Sequence, residues 1–584
     1  MKYILVSGGV ISGVGKGIIA SSTGLLLKTL GVKVTSIKID PYMNLDAGTM
    51  APTEHGEVYV LDDGGEVDLD LGNYERYLNI TLGRDQNITT GKIYQHVIQR
   101  ERRGDYLGKT VQIVPHLTDA IQEWVERVAR IPVDASGQEP DVCIIELGGT
   151  VGDIESAPFV EAMSQLQRRV GKRNVRQIHV SYVPLIGTEQ KTKPTQRAIG
   201  DVRSAGLWPD LIACRCETPL QEPTVQKIAD ACQVDREQVV AVHNVSTTYH
   251  VPILLEQQGL LHTISRLLEV PAMEKSPTLV RQGKAIWQEW QGLATNEDLR
   301  VLETVSIALV GKYTSLHDSY MSVTKALEHA AMHCEKKLNL VWVDAAHLDD
   351  ATQESAPADF FKAWHDVCTA AGILVPGGFG QRGTEGMIKA AHWARTNNIP
   401  YLGVCLGMQL AVVEYARHVC GLPRAGSAEF DPDCCDPPVI VYMPEIDREN
   451  MGGTMRVGKR RTVFQPGSEW SRLRRLYGSA PELWERHRHR YEVNPELVSM
   501  LESAGLTFVG KDDAGQRMEI VELRDHPWYV GVQFHPEYLS RVLAPSKTFL
   551  GFFAAAAGCL DDVTARFRDR RDLSVVRRSK SSSK

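Results

Sequence analysis

The chain begins with an apolar run, YILVS at residues 3–7, that enters a glycine-rich loop and then an apolar helical stretch from Gly17 to Leu30. Gly31 stops that helix, and Val32 to Ile39 reads as the next strand. This is a βαβ unit, and its crossover geometry commits the chain to a parallel sheet with helices on both faces. In such sheets ligands sit at the carboxyl ends of the strands. The glycine loop falls there, and so does GGTVGD, which follows the apolar run Val142 to Leu147; a further strand reads at Leu211 to Cys214.

At 584 residues the chain is too long for one core, and its length suggests two to four domains. Residues 269–300 change character, mixed and partly helical, and read as a connector. A fresh strand begins at Val305, and later strands end at Gly377 and near Val404, so the second domain is also α/β. The expected organisation is an N-terminal P-loop-like, doubly wound parallel sheet over 1–268 and the linker 269–300. A C-terminal α/β domain follows over 301–560, then a basic tail, 561–584, for which disorder is expected.

A net charge of -7 gives no global reason to expect nucleic-acid binding. No apolar run is long enough to span a bilayer, and the N-terminus lacks a signal-peptide core. The 11 cysteines are scattered; neither Cys214/Cys216 nor Cys434/Cys435 has zinc-ligand spacing, so reduced thiols in a cytoplasmic protein are expected.

One cysteine stands apart. Gly403-Val404-Cys405-Leu406-Gly407 has the form of a nucleophile elbow, a sharp strand-to-helix turn that exposes the thiol at a helix N-terminus. Alone, the pentapeptide is equally a buried cysteine between glycines. Gln533-Phe534-His535-Pro536-Glu537 adds a histidine and a carboxylate two residues apart, on one face of an extended segment. That suits a Cys–His–Glu triad, with His535 moving the proton and Glu537 orienting it. The amides of Pro376-Gly377-Gly378-Phe379-Gly380, with that of Leu406, suit an oxyanion hole. Together these segments resemble class I glutamine amidotransferases over roughly 301–560. The resemblance implies that Cys405 releases ammonia from glutamine, that Gly378 and Leu406 stabilise the oxyanion, and that Gly378, Gln409, Glu429 and Arg490 hold the substrate. A triad kept only for structure is the bland alternative.

In the first domain, the free amides from Ser12 through Gly13, Val14, Gly15, Lys16 and Gly17 suit phosphate, with the helix dipole behind them. The loop is one residue longer than a strict P-loop, and Gly17 stands where Ser or Thr would help hold magnesium. Asp70 and Glu146 are the candidate magnesium ligands, Glu146 because a carboxylate ending a buried strand must be paired or metal-bound. Seen alone, Asp70 is an ordinary loop acid.

The longer text, including SGGVISGVGKG, KIDPYMNLDAGTM, ELGGTVGDIES, GTEQKTKPTQ and GGTMRVG at 452–458, resembles the CTP synthase family from residue 1 to about 560, with local insertions such as that near Asp134 to Glu139. The resemblance implies that ATP phosphorylates O4 of UTP and that ammonia then displaces phosphate to give CTP. Lys16 and Lys38 would balance the transferring charge beside Mg2+ on Asp70 and Glu146. By the same resemblance Ser12, Asp153, Ile154, Glu155, Lys191, Thr192, Lys193, Pro194, Thr195, Gln196 and Lys227 contact UTP or CTP. A solvated charged loop is the plain reading of the lysine segment. His55 and His116 match histidines tied to a shielded ammonia passage, or are interior histidines. Arg382 and Arg456 match regions answering to GTP, an activator. A homotetramer is implied, with filament assembly left open. The competing readings are a cobyrinic acid amide synthase, against which KTKPTQ argues, and a non-catalytic scaffold, against which the complete triad argues.

Overall fold

The computed structural model describes residues 1–9, 11–134, 136–270, 273, 275–299, 302–430, 436–443 and 455–566. Val10 of the glycine loop, Ala135 of the insertion, Cys434 and Cys435, residues 452–454 of GGTMRVG and the tail beyond 566 lie outside them. The chain divides into two compact units: Met1–Ala47 with Glu66–Leu299, and Gly48–Gly65 with the described residues from 302 onward.

The first unit is built on seven parallel strands: β1 (Lys2–Gly8), β2 (Val34–Asp40), β3 (Asn87–Thr89), β4 (Val142–Leu147), β5 (Val175–Val183), β6 (Leu211–Cys216) and β7 (Val239–Val242). Their order is β7-β6-β5-β1-β4-β2-β3. β2 and β4 are buried along their whole length, as expected for strands covered on both faces. Helix α1 (Lys16–Thr29) leaves the loop after β1, and α2 (Asp70–Leu78) packs beside it.

The connector expected over 269–300 is instead largely a helix of this unit, α3 (Pro277–Leu299). Gly283 lets it approach α1 so closely that a Cβ there would lie 2.3 Å from the Lys28 carbonyl oxygen. Trp290, 1% exposed, is sunk beside Tyr249 and donates to its carbonyl at 2.9 Å. Burial of that indole and of Ala294 fixes the segment as core.

The main sheet of the second unit has nine strands: β8 (Thr304–Gly311), β9 (Lys337–Asp344), β10 (Gly372–Val375), β11 (Tyr401–Val404), β12 (Arg456–Phe464), β13 (Glu482–His489), β14 (Leu506–Lys511), β15 (Met518–Leu523) and β16 (Tyr529–Val532). The order is β9-β8-β10-β11-β16-β15-β14-β12-β13. The half from β9 to β16 is parallel, and the remainder is antiparallel. Separate apolar cores cover the two faces.

Two boundaries differ from expectation. Gly48–Gly65, early in the chain, belongs to the second unit. Arg486, wholly buried, donates to Asp62 at 2.6 Å, to the Tyr59 hydroxyl and to the Val60 carbonyl. Glu57 accepts the Ser322 amide at 2.8 Å. At the other end, residues 561–566, expected in the disordered tail, continue a helical turn that buries Val563 in the core.

Candidate active sites

β11 delivers Cys405 into a turn with φ 52° and ψ -102°, a left-handed conformation that non-glycine residues rarely adopt. The flanking glycines are required. A Cβ at Gly403 would lie 2.6 Å from the Gly407 backbone, and one at Gly407 would lie 2.0 Å from the Val375 carbonyl oxygen. Helix α4 (Leu406–His418) begins at the next residue, so the Leu406 amide is one of the N-terminal N–H groups without an intrahelical acceptor.

The parallel neighbour β16 leads straight to Gln533 and His535. Gln533 Nε2 lies 3.5 Å from the Cys405 sulfur, and His535 Nδ1 meets Glu537 Oε1 at 2.8 Å. Burial disfavours the imidazolium, but the Glu537 carboxylate and the Cys405 sulfur outweigh it and raise His535 to about 10. A Cβ at Gly377 would lie 2.8 Å from the His535 ring and 3.6 Å from Cys405 Cβ, which places the glycine loop over the triad.

One pocket unites Cys405, His535 and Glu537 with Gly377, Gly378 and Phe379. Glu429 accepts the Gly380 amide at 3.0 Å, and burial raises its carboxyl above the ordinary range. The Arg490 guanidinium stands 5.9 Å from the Phe379 ring. Gln409 is buried on α4 and donates to the Tyr491 carbonyl at 2.9 Å. Sequence reasoning missed Tyr313, Arg488, Tyr538 and, from the early segment, Glu57 and Val58, which also line this pocket. Nothing in local spacing marks them, because they come from separate stretches of chain.

In the first unit, register explains the charge cluster. Lys38 on β2 pairs with Glu146 on β4, so the two side chains leave the same face of the sheet. The Lys38 ammonium contacts Asp70, and lies 3.4 Å from Glu146 and 3.6 Å from Asp40. Burial opposes its charge, yet those carboxylates together raise it well above the usual lysine value. Asp70 and Tyr74 are one turn apart on α2, and the Tyr74 hydroxyl donates to Glu146. Burial, with Asp70 adding to it, raises Glu146; Lys38 overcomes burial at Asp70 and lowers it.

These carboxylates gather at the start of α1. A Cβ at Gly17 would lie 3.0 Å from Asp70 Oδ1 and 3.5 Å from Glu146 Oε2. They occupy the space that a Ser or Thr side chain would claim in a strict P-loop. Gly13 and Gly15 take positive φ, 69° and 98°, and the Lys16 ammonium donates to the Gly149 carbonyl at 2.8 Å. Beside the loop, Val14, Gly15, Val180, Arg215, His243 and Asn244 line a cavity of about 280 Å³ that sequence reasoning did not find.

The remaining expected residues are placed as follows. Thr192, buried, precedes the helix Lys193–Ser204, with Pro194 in its first turn; Gln196 donates to the Thr192 hydroxyl, and Thr195 bonds Ser181 at 3.0 Å. Lys191 and Lys227 both act on Glu189. Asp153 accepts the Thr150 amide at 3.2 Å, and Ile154 is 84% exposed beside Glu155. Ser12 is exposed in the glycine loop. Arg382 is paired with Asp344 at 3.0 Å, and Arg456 with buried Glu519 at 3.0 Å. His55 belongs to the second unit and His116, beside Tyr106, to the first. A further cluster, His392, Glu414 and His418, is charge-satisfied: Arg395 donates to both Glu414 oxygens at 2.8 and 2.9 Å.

Comparison with known proteins now decides the family. The family model described as "CTP synthase N-terminus" matches residues 2–270, and "Glutamine amidotransferase class-I" matches 315–555. The CTP synthase of Neurospora crassa is 64% identical over 564 residues, covering 97% of this chain and 97% of its own length. The chain belongs to the CTP synthase family. The CTP synthase of Schizosaccharomyces pombe is 65% identical, over 96% of this chain and 93% of its own. A solved structure, the Trypanosoma brucei CTPS glutaminase domain with bound acivicin, is 37% identical over 44% of this chain and 94% of its own, with a TM-score of 0.40. The activity is therefore glutamine-hydrolysing CTP synthesis, a ligase step of pyrimidine biosynthesis, with a parallel-sheet domain joined to an amidotransferase domain. No helix among the described residues is long and apolar enough to cross a membrane.

Proposed function

We propose that the first unit transfers the γ-phosphoryl group of ATP to O4 of UTP, and that ammonia then attacks C4 and expels phosphate to give CTP. The observation that carries this reading is the convergence of Asp70 and Glu146 on Gly17 at the start of α1. Two neighbouring carboxylates, Glu146 buried and Asp70 half-buried, repel, and here Lys38 separates them; such an oxygen-donor pair fits Mg2+, which would complete its shell with phosphate oxygens and water. When bound, the ion would neutralise phosphate charge. The loop amides from Ser12 to Gly17 would bind the ATP phosphates, with the nucleoside in the cavity between Gly15 and Asn244. Lys16 and Lys38 would counter charge on the transferring group. The Lys191 to Gln196 segment and Lys227 would hold the UTP triphosphate, and Asp153 to Glu155 would contact the CTP end-product, an inhibitor.

In the second unit, the Cys405 sulfur attacks the glutamine carboxamide carbon while the Gly378 and Leu406 amides hold the oxyanion. His535 gives a proton to the departing nitrogen, so ammonia and a thioester result; water, deprotonated by His535, then frees glutamate and the thiol. Glu429, Gln409 and Arg490 would hold the glutamine backbone ends. GTP would act as an activator through Arg382 and Arg456. Exposed Met43, Ile98, Leu107, Ile154 and Ile186 supply apolar surface that a homotetramer would cover, compatible with further filament growth. A cytoplasmic location fits the free thiols.

The test is CTP formation from UTP, ATP and Mg2+ with either nitrogen source. Cys405→Ala should abolish the glutamine-dependent rate and leave the ammonia-dependent rate intact, whereas Lys16→Ala should reduce both. Equal loss of both rates in Cys405→Ala would overturn the division of labour.

A further inference from the structure

Immediately past β8 the chain places Lys312 and Tyr313 beneath the loop Gly377 to Gly380. Lys312 is 2% exposed, an expensive position for an ammonium that lacks hydrogen-bond partners. Its Nζ donates to the Gly380 carbonyl and reaches the Phe379 carbonyl at 3.5 Å, while lying 5.3 Å from the Phe430 ring. Its Cδ lies 3.4 Å from where a Cβ on Gly378 would stand. Burial pushes Lys312 down to about 8, with Glu429 opposing that and Arg382 adding to it.

The amides of the same two residues are also taken by side chains. The Phe379 N–H donates to the Tyr313 hydroxyl at 3.2 Å, and the Gly380 N–H to Glu429 at 3.0 Å. Every backbone polar group of Phe379 and Gly380 is thus held, in a segment that belongs to no helix or strand. The Gly378 N–H, one residue earlier, donates to none of the described residues. Gly377, Gly378 and Gly380 have no side chains to set the direction of their peptides, and Gly380 sits at φ 81°. The direction must come from the partners, and Lys312 is the one that engages both carbonyls.

We propose that Lys312 is a positioning residue for glutamine hydrolysis, holding the Phe379 and Gly380 carbonyls so that the Gly378 N–H stays turned toward the oxyanion that forms when Cys405 attacks. This rests on the glutaminase reading above. Lys312 touches neither the sulfur nor the reacting carbon; it acts through the loop.

The experiment compares full-length wild type, Lys312→Met and Lys312→Arg. Three rates are measured: glutamine hydrolysis, ammonia-dependent CTP synthesis, and alkylation of Cys405 by iodoacetamide, a displacement at saturated carbon that forms no oxyanion. Loss of oxyanion alignment should cut the glutaminase kcat of Lys312→Met about tenfold to a hundredfold. Its KM for glutamine should stay within about twofold of wild type, since ground-state binding is kept. Alkylation and ammonia-dependent synthesis should match wild type, and Lys312→Arg should recover part of the loss. A wild-type kcat in Lys312→Met, a rise in KM alone, alkylation slowed in parallel, or an arginine variant as impaired as methionine would each overturn the inference. If wild type itself hydrolyses no glutamine, the glutaminase reading fails first.

Discussion

His535 is 7% exposed, with Glu537 2.8 Å from its Nδ1 and the Cys405 sulfur nearby, so its charge state is set by two neighbours rather than by solvent. Its value, about 10, lies above the ordinary 6.5 of histidine. The stability contributed by the charged ring is therefore complete below about 6.5 and is lost as pH rises through about 10. In the proposed hydrolysis the same imidazolium supplies the proton to departing ammonia. Glu537→Gln removes the larger charge that raises it, so the alkaline limb of glutaminase kcat should move to lower pH. An unchanged limb would mean that Glu537 orients the ring without tuning it. This triad was legible in the sequence because its members lie in short local patterns, two residues apart or inside one pentapeptide. Lys312 was not: as written, it is one more residue after an apolar strand, and only folding brings Phe379 and Gly380 to it.

At the scale of elements, the start of α1 departs from the strict motif, with Asp70 and Glu146 standing against Gly17. The sequence showed the missing hydroxyl at Gly17; it took α2 and β4 to show what replaces it. Gly17→Ser restores the motif on paper but drives a Cβ to within 3.0 Å of Asp70 Oδ1, which is itself held by Lys38. Ammonia-dependent CTP synthesis should fall by roughly tenfold or more, as expected when a charged group at a reacting centre is displaced, while glutamine hydrolysis is spared. Retention of the wild-type rate would mean that the carboxylates need not sit there. The strands of the first sheet were readable as continuous apolar runs. The helix α3 read as a connector because its fit depends on Gly283 and on packing beside Tyr249, which no local pattern reveals.

For the whole molecule, the division into two units, one of them the amidotransferase, was foreseen, but not the placement of Gly48–Gly65 in that one. Glycines at 64 and 458 permit that placement: a Cβ at Gly458 would lie 2.7 Å from the Gly64 nitrogen. Asp62 is the counter-charge of buried Arg486; burial raises its carboxyl, but Arg486 and Lys459 prevail and lower it. Its contribution is present above the ordinary aspartate range and is lost only as pH falls through the lowered value. Asp62→Asn should destabilise the second unit by about 1–3 kcal/mol, because Arg486 keeps its bonds to Tyr59 and Val60 but loses its charge partner. Thermal unfolding should report this as a lower melting temperature that additional acid does not further reduce as it does in wild type.

The same segment imposes an order on biosynthesis. Arg486 follows Asp62 by 424 residues, so the piece of chain that it anchors leaves the ribosome long before the strand that receives it. At usual elongation rates that interval is roughly 20–85 s. During it, Tyr59, Val60 and Leu61, all wholly buried in the finished protein, have no place to go. The amidotransferase sheet thus closes only around a strip of chain that has already waited, and the nascent protein spends that time with an apolar strip open to chaperones.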